Sequence, residues 1–221
     1  MKEQEILLRE LNHHAQHWPA EEVGVFVGCD GIRHLFAVSA KWTREWRSRL
    51  DVLLLQAVNY MLRHPCGKSA MLNTPGVVSA LTLNLNAPTD DVRIQTLDAL
   101  TALSKESYLE TRKALRGFGI VCQGQQDSAR VPFDAVLRLM METYQPEVKE
   151  KCLNLIDALI SAPASLVERA WTLRILHDEL GRRDWGARVM RNDLELNTTR
   201  EAWSVDRDIV KIAKSRRGRQ V

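Results

Sequence analysis

Hydrophobic residues recur at helical spacing along almost the whole chain. In the clearest example, Ile94, Leu97, Leu100 and Leu103 follow one another every three residues, which places them on one side of an amphipathic helix. Similar stripes elsewhere predict further helices, and only the segment 23–27 also suits a strand. Because one isolated strand cannot build a sheet, the pattern predicts an all-α protein.

Prolines, glycines and capping residues divide the helical pattern into short elements. A proline fits the first helical position because it lacks only an N–H that would be unpaired there, so several prolines mark predicted helix starts. Glycines mark a predicted helix end at Gly117–Gly119. The predicted helices begin near Ile6, Ala20, Ile32, Thr43, Pro65, Pro75, Thr89, Ser104, Pro132, Pro146 and Ser165, with two more near Trp185 and Arg200.

The helical pattern also repeats. The segments Val92–Leu103 and Val148–Leu159 share valine, basic, leucine and alanine positions at an offset of 56, and Leu50–Met61 has similar stripes at an offset of 42. Repeats of about 40–47 residues with two or three helices are typical of armadillo and HEAT proteins, whose units bury their apolar stripes by stacking. The sequence therefore predicts a helical-repeat superhelix of about four units over residues 1–195, followed by a helix and a basic tail over 196–221. An irregular helical bundle is the alternative.

Composition and charge indicate an ordinary globular protein. The chain of 221 residues is 45% hydrophobic and 27% charged, which excludes a disordered class. Five basic residues lie between Lys211 and Arg219, and the rest of the chain has 26 Lys and Arg against 28 Asp and Glu. The net charge of +3 therefore does not predict a nucleic-acid-binding body. Without a signal peptide, a long apolar run or paired cysteines, the sequence predicts a cytoplasmic protein with no membrane span.

No motif predicts catalysis or a cofactor. The run Gly67–Ser69 resembles the end of a phosphate-binding loop, but the first glycine of such a loop would fall at Leu62. His13 and His17 are one helical turn apart without a third ligand, so solvated histidines are the better interpretation. Cys152 lies on an apolar stripe and is predicted to belong to the core. The sequence therefore predicts a protein that is not an enzyme and holds neither a metal nor a cofactor.

Three segments, in their order and spacing, resemble the armadillo region of Diaphanous-related formins. Pro19–Leu35 is similar to the family's proline followed by Phe-x-x-x-x-Gly-Leu-x-x-Leu. Asn59–Leu72 resembles the family's helix end, glycine and short helix, and Cys152–Pro163 resembles its Leu-x-Leu-Ile-Asn-Ala-Leu segment before a proline. The resemblance covers residues 15–180, the region called formin homology 3 with its GTPase-binding neighbour.

The resemblance implies a non-catalytic regulatory module that controls actin filament assembly. In such formins, an amphipathic helix near the C-terminus of the same protein binds this region and holds the actin-assembly domain inactive. A GTP-bound Rho-family GTPase docks at the N-terminal end of the region and displaces that helix. The implied partners are therefore the GTPase and the autoinhibitory helix, with actin reached only through other domains. A cytoskeletal location and self-association as a homodimer are further expectations.

The same resemblance selects five candidate partner-binding residues. Trp18 occupies a position at which a small polar residue of the family commonly touches the GTPase. Thr96, Leu100, Asn154 and Asp157 lie on the helices that would form the groove for the autoinhibitory helix. Asn154 and Asp157 share a helix face because they are three residues apart. Leu100 is also a candidate for the core, since it lies on an apolar stripe.

Two other functions are compatible with the sequence. An armadillo or HEAT adaptor unrelated to actin would present similar helices to a different helical or extended peptide. A nucleic-acid-binding role would depend on the basic tail alone. The formin-like module is the leading hypothesis because three separate segments match in order.

Overall fold

The structure of the protein, a computed structural model, describes residues 2–40, 44–123 and 133–163, together with residues 165, 167, 169, 170 and 172–174. These residues form helices and connecting turns and contain no strand, which confirms the all-α prediction. No helix in these ranges combines the length and the apolar composition that crossing a membrane requires. The α-helices are α1 (Lys2–Ala15), α2 (Ala20–Gly28), α3 (Gly31–Ser39), α4 (Arg44–Met61), α5 (Pro65–Asn73), α6 (Val77–Leu83), α7 (Asp90–Glu106), α8 (Tyr108–Gln123), α9 (Asp134–Glu142) and α10 (Pro146–Ser161), with a short 3-10 helix at Asn84–Asn86.

Two of the helix starts predicted at prolines are confirmed, and a third is wrong. Pro65 and Pro146 lie in the first turns of α5 and α10. Pro75 does not begin α6, because the next residue, Gly76, has a left-handed backbone conformation with φ of 81°. The helix therefore begins two residues after the predicted start at Pro75, at Val77.

Two other predicted boundaries are wrong. The predicted break at Ser104 falls inside α7, and the predicted end at Gly117 falls inside α8. A glycine in a helix interior costs about 1 kcal/mol, but burial of a neighbouring phenylalanine such as Phe118 contributes about 1.5–3 kcal/mol and offsets that cost. The predicted starts at Thr43 and Pro132 lie outside the described residues.

Three consecutive groups of three helices confirm the helical-repeat prediction. The groups α2–α4, α5–α7 and α8–α10 begin at Ala20, Pro65 and Tyr108, which gives spacings of 45 and 43 residues. The third group is longer because residues 124–133 separate α8 from α9, and this length explains the offset of 56 in the sequence pattern. The described residues thus contain α1 and three complete repeats of the predicted superhelix.

The last helix of each repeat packs against the last helix of the next one. α4 packs against α7 and α7 against α10, while α1 packs against α4 on its other side. We call α1, α4, α7 and α10 the helix row. Burying each large apolar side chain of this row contributes about 1.5–3 kcal/mol to the free energy of unfolding. The fully buried ones include Leu50, Leu54, Leu55, Met61, Leu97, Leu100, Leu103 and Leu155.

The chain divides into two compact units, Met1–Ala162 and Pro163–Val221. The first unit contains all ten helices named above. In the second, Thr172 is buried and Arg169 donates a hydrogen bond from Nε to the carbonyl of Pro163 at 2.7 Å. The domain boundary predicted between residues 195 and 196 and the basic tail lie outside the described residues.

Candidate functional site

Polar side chains connect neighbouring helices of the row. Asn12 of α1 donates a hydrogen bond from Nδ2 to the carbonyl of Leu53 in α4 at 2.7 Å. Asn59 of α4 donates from Nδ2 both to the backbone carbonyl of Gln95 in α7, at 2.9 Å, and to its side-chain Oε1, at 2.8 Å. These contacts join residues 41 and 36 positions apart, so they fix one helix against the next rather than stabilising a single helix.

An ion pair continues this series from α7 to α10. Lys151 Nζ lies 2.8 Å from Asp98 Oδ1. The hydrogen bond to Asp98 raises the pKa of the Lys151 amine above its usual value of 10.5, although partial burial acts in the opposite direction. Asn154 and Asp157 are exposed, and each follows the previous residue of the series Lys151, Asn154 and Asp157 by three positions, so consecutive members are neighbours on the surface of α10. We call the partly exposed side of the helix row that carries these residues the row face: Asn12, Asn59, Gln95, Asp98, Lys151, Asn154 and Asp157.

A cleft of about 390 Å³ opens on the row face between α4 and α7. Both hydrogens of the Asn59 amide are directed to Gln95, which leaves the Asn59 Oδ1 acceptor and the Gln95 Nε2 donors for other groups. A peptide group of another chain offers an N–H donor and a C=O acceptor, which are the partners that these two groups require. The cleft is lined by Gln56, Asn59, Tyr60, Leu62, Arg63, Gln95, Asp98 and Ala102.

One uncompensated positive charge lies at this cleft. Arg63 is exposed just beyond the end of α4, and its guanidinium carbon lies 4.7 Å from the centroid of the half-buried Tyr60 ring. This distance is in the range of a cation–π interaction, which holds the guanidinium in place. Asp98, the acidic residue of the lining, pairs with Lys151 instead. No carboxylate in the described residues forms an ion pair with Arg63.

A buried carboxylate connects the first two helices of the row. The side chain of Glu5 in α1 is only 12% exposed. It pairs with Arg9 of the same helix at 3.0 Å and with Arg49 of α4. Two guanidinium partners compensate the cost of removing this carboxylate from water, so the contact fixes α1 against α4.

An aromatic pair lies at the start of the first repeat. Trp18 is half-buried in the connection between α1 and α2, and its ring centroid lies 5.4 Å from that of Phe26, with an interplanar angle of 45°. After Asp30, which has a left-handed backbone with φ of 59°, Gly31 approaches the Phe26 ring so closely that a Cβ atom would overlap it. The pair is thus held between α2 and α3 while part of it remains exposed. We call Trp18, Phe26 and Gly31 the Trp18 corner.

The structure separates the five predicted partner-binding residues into two groups. Thr96 and Leu100 are fully buried. The hydroxyl of Thr96 donates to the carbonyl of Val92 at 2.7 Å, so this polar side chain is satisfied inside its own helix. Asn154 and Asp157 are exposed and Trp18 is half-buried, so these three offer surface to a partner, and a role in partner binding stays a prediction for all five.

The residues of the cleft are not predicted as a site by the sequence. Two of these residues, Asn59 and Arg63, lie in or just after α4, whereas Gln95 lies in α7. The Asn59–Gln95 contact therefore joins positions that are 36 residues apart in the chain. A signal was present, because polar residues at positions 56, 59 and 63 interrupt an otherwise apolar helix at spacings of three and four. Only the packing of α4 against α7 shows that Gln95 completes this group.

The run Gly67–Ser69 has a packing role within α5. Gly67 is buried against the end of α4, and a Cβ atom there would overlap the backbone of Met61. Lys68 forms an ion pair with Glu106 at 3.7 Å. The glycine is therefore required for the close approach of two helices.

The N-terminal histidines are exposed and Cys152 lies in the core, as the sequence predicted. His13, His14 and His17 are exposed, with ring centroids 5.6 Å apart for His13 and His14 and 6.3 Å apart for His13 and His17. The described part of the chain contains no group of three or more His, Cys, Asp or Glu side chains that could hold a metal ion. Cys152 is fully buried, and burial raises the pKa of its thiol to about 12, while Arg93 opposes this shift.

Comparison with solved structures relates the fold of this chain to that of a formin. No protein-family model and no curated protein matches the sequence. Among solved structures, E. histolytica Formin1 bound to EhRho1–GTPγS is similar to the chain, with a TM-score of 0.69 and 14% sequence identity. The match covers 96% of this chain and 73% of that one. At this identity the likeness establishes architecture, and the chain has the helical fold seen in that formin.

Proposed function

We propose that this chain is a non-catalytic regulatory module that binds a GTP-bound Rho-family GTPase. The observation that carries the proposal is the structural similarity, over 96% of the chain, to a formin bound to EhRho1–GTPγS. A shared fold does not by itself transfer a function, so the argument also requires a suitable surface on this chain. The three formin-like segments of the sequence and the Trp18 corner supply that second line of support.

The Trp18 corner is the proposed docking site for the GTPase. Tryptophan is enriched among residues that dominate binding energy, because a large aromatic surface is buried at low conformational cost. Trp18 is already held against Phe26, so little side-chain freedom remains to be lost on binding. The corner also lies at the N-terminal side of the first repeat, where the resemblance to formins places the GTPase.

Binding that depends on the bound nucleotide tests the proposal directly. The purified chain would be immobilised and offered Rho-family GTPases loaded with GTPγS or with GDP. We expect at least one GTPase to bind more tightly in the GTPγS form. Equal binding in the two forms, or no binding by any GTPase tried, would contradict the proposal and favour an adaptor unrelated to Rho signalling.

A substitution at the corner tests the location of the site. For Trp18→Ala we expect a loss of about 2 kcal/mol or more in GTPase binding, as for a central aromatic contact. The matched control is Tyr144→Ala, which removes an aromatic side chain that is 98% exposed between α9 and α10. Circular dichroism would show that both variants remain helical. A Trp18→Ala chain that binds as tightly as the unchanged protein would place the GTPase elsewhere.

We further propose that the row face binds an autoinhibitory helix from the same protein and thereby controls actin assembly. Support comes from the exposed Asn154 and Asp157, which continue the polar series of the row face on α10. In the full-length protein, Asn154→Ala with Asp157→Ala is expected to raise basal actin assembly without the GTPase. The proposal requires an actin-assembly domain downstream in the open reading frame, and its absence would refute this part.

A further inference from the structure

The cleft between α4 and α7 lies on the row face, and its charge and hydrogen-bonding pattern define the chemistry of a bound segment further than the proposed contacts at Asn154 and Asp157 do. We propose that it binds a segment of a partner protein through an acidic side chain, with Arg63 as the ion-pair partner of the carboxylate. The amides of Asn59 and Gln95 would hold the main chain of the same segment. The inference does not depend on the partner being a GTPase or on the segment being the autoinhibitory helix, so binding of an acidic peptide can fail or succeed independently of GTPase binding.

The charges around the cleft favour an anionic group. Two acidic residues of α7 are already paired with lysines of neighbouring helices: Asp98 with Lys151 at 2.8 Å and Glu106 with Lys68 at 3.7 Å. Arg63 differs from both lysines because, within the described chain, it lies against an aromatic ring and not against a carboxylate. An incoming carboxylate therefore meets one unpaired cation and no unpaired acid in the lining.

Arg63 is also oriented before a ligand arrives. Its guanidinium carbon is 4.7 Å from the centroid of the Tyr60 ring, three residues earlier in the sequence. A guanidinium fixed over an aromatic face still has its planar N–H edge available for two parallel hydrogen bonds to a carboxylate. Restricting the side chain in advance lowers the entropy lost on binding.

The amide pair gives the cleft its preference for a peptide over a simple anion. Asn59 Nδ2 donates to two oxygens of Gln95, so the Asn59 side-chain oxygen and the Gln95 NH₂ group remain for a ligand. These two groups complement the N–H and C=O of a peptide unit. Ala102 is small, and together with Leu62 it provides an apolar border for the side chains next to the acidic residue.

Nuclear magnetic resonance titration with short blocked peptides tests the inference. The probes are acetyl-Ala-Glu-Ala-amide and its neutral isostere acetyl-Ala-Gln-Ala-amide, added to the isotope-labelled chain at low ionic strength. We expect the glutamate peptide to shift the Arg63 Nε–H signal and the Asn59 and Gln95 side-chain amide signals. It should bind about fivefold more tightly than the glutamine peptide, the size of a well-formed exposed ion pair.

Two variants and a third peptide make the test specific. Arg63→Gln is expected to remove the difference between the two peptides, whereas Lys113→Gln, the same charge change on an exposed part of α8, should leave it intact. Equal affinities in the unchanged chain, an equal effect of both substitutions, or no shifts at these three residues would overturn the inference. Tighter binding of unblocked Ala-Ala-Ala would overturn it too, because it would assign the cleft to a chain terminus.

Discussion

The two sides of α7 belong to different parts of the molecule, although their residues are neighbours in the sequence: one side lies in the core and the other lines the cleft. On one side, Thr96, Leu97 and Leu100 are fully buried between neighbouring helices. On the other side, Gln95 and Asp98 are partly exposed on the row face, where they contact α4 and α10. A shift of one residue along the helix therefore exchanges a position in the core for a position in the cleft.

The comparison also shows that residue type alone does not assign a side. Thr96 is polar but buried, because its hydroxyl bonds to a carbonyl of its own helix. Ala102 is apolar but lines the cleft. Which side a residue occupies follows from helix geometry and from the neighbouring helices, and substitutions on the two sides should accordingly affect different properties.

The largest expected effect comes from the buried side. Leu100→Ala should lower the free energy of unfolding by about 2–5 kcal/mol, since it leaves a cavity in a closely packed core. The control is Leu109→Ala, in which the replaced leucine is 52% exposed and the expected loss is about 0.5 kcal/mol. Urea denaturation measures both. Similar losses for the two variants would contradict the assignment of Leu100 to the core.

A smaller effect is expected where α5 approaches the end of α4. Gly67→Ala should cost about 1–3 kcal/mol, because the added methyl group meets the backbone of Met61 and cannot move aside as a side chain can. The matched control is Gly117→Ala in α8, where a Cβ atom meets nothing within 4 Å. That substitution should stabilise the protein by about 0.5–1 kcal/mol, so the two changes have opposite signs in thermal or urea unfolding.

The buried thiol of Cys152 makes the free energy of unfolding depend on pH. Burial raises the pKa of Cys152 from 9.0 to about 12, so between these values the unfolded chain has lost a proton that the folded chain retains. Stability should therefore fall as pH rises above 9, by about 1.4 kcal/mol per pH unit from this group. Urea denaturation between pH 8 and 10 should show this slope in Cys29→Ala, an exposed control, and not in Cys152→Ala. Identical slopes for the two variants would refute the prediction.

The smallest effect on stability is expected on the row face. Asn59→Ala removes two partly buried hydrogen bonds, one to the backbone carbonyl and one to the side chain of Gln95, and water replaces part of each. The expected loss is about 0.5–1.5 kcal/mol, well below that of Leu100→Ala. Double-mutant analysis with Gln95→Ala measures the coupling between the two residues. A loss as large as that in the core would mean that the row face is a structural interface rather than a binding surface.

The sequence predicts the helices well because hydrophobic periodicity reports which side of each helix is buried. The stripe from Leu97 to Leu103 is found in the core, and the repeat of helix patterns corresponds to three real repeats. Boundaries fail where local and tertiary effects compete. Gly76 delays α6 through its left-handed backbone, whereas Gly117 remains inside a helix whose burial outweighs the cost of a glycine.

The candidate site was less accessible from the sequence, for a physical reason. The cleft is built from α4 and α7, and the Asn59–Gln95 contact depends on how these helices pack. Resemblance to formins selected Thr96 and Leu100 on α7, and both lie on the buried side of that helix rather than in the cleft. On α10, Asn154 and Asp157 are exposed, because polar residues three apart on an apolar helix cannot both be turned toward the core without partners.

Hydrogen exchange of the chain with and without a GTPγS-loaded Rho-family GTPase tests the central claim most directly. The account predicts slower backbone exchange in residues 15–36, around Trp18 and Phe26, with the GTPγS form and not with the GDP form. Exchange in α8 and α9 should stay unchanged. Protection confined to α8 and α9, or equal protection by both nucleotide forms, would contradict the proposal that this repeat protein recognises an active GTPase at its Trp18 corner.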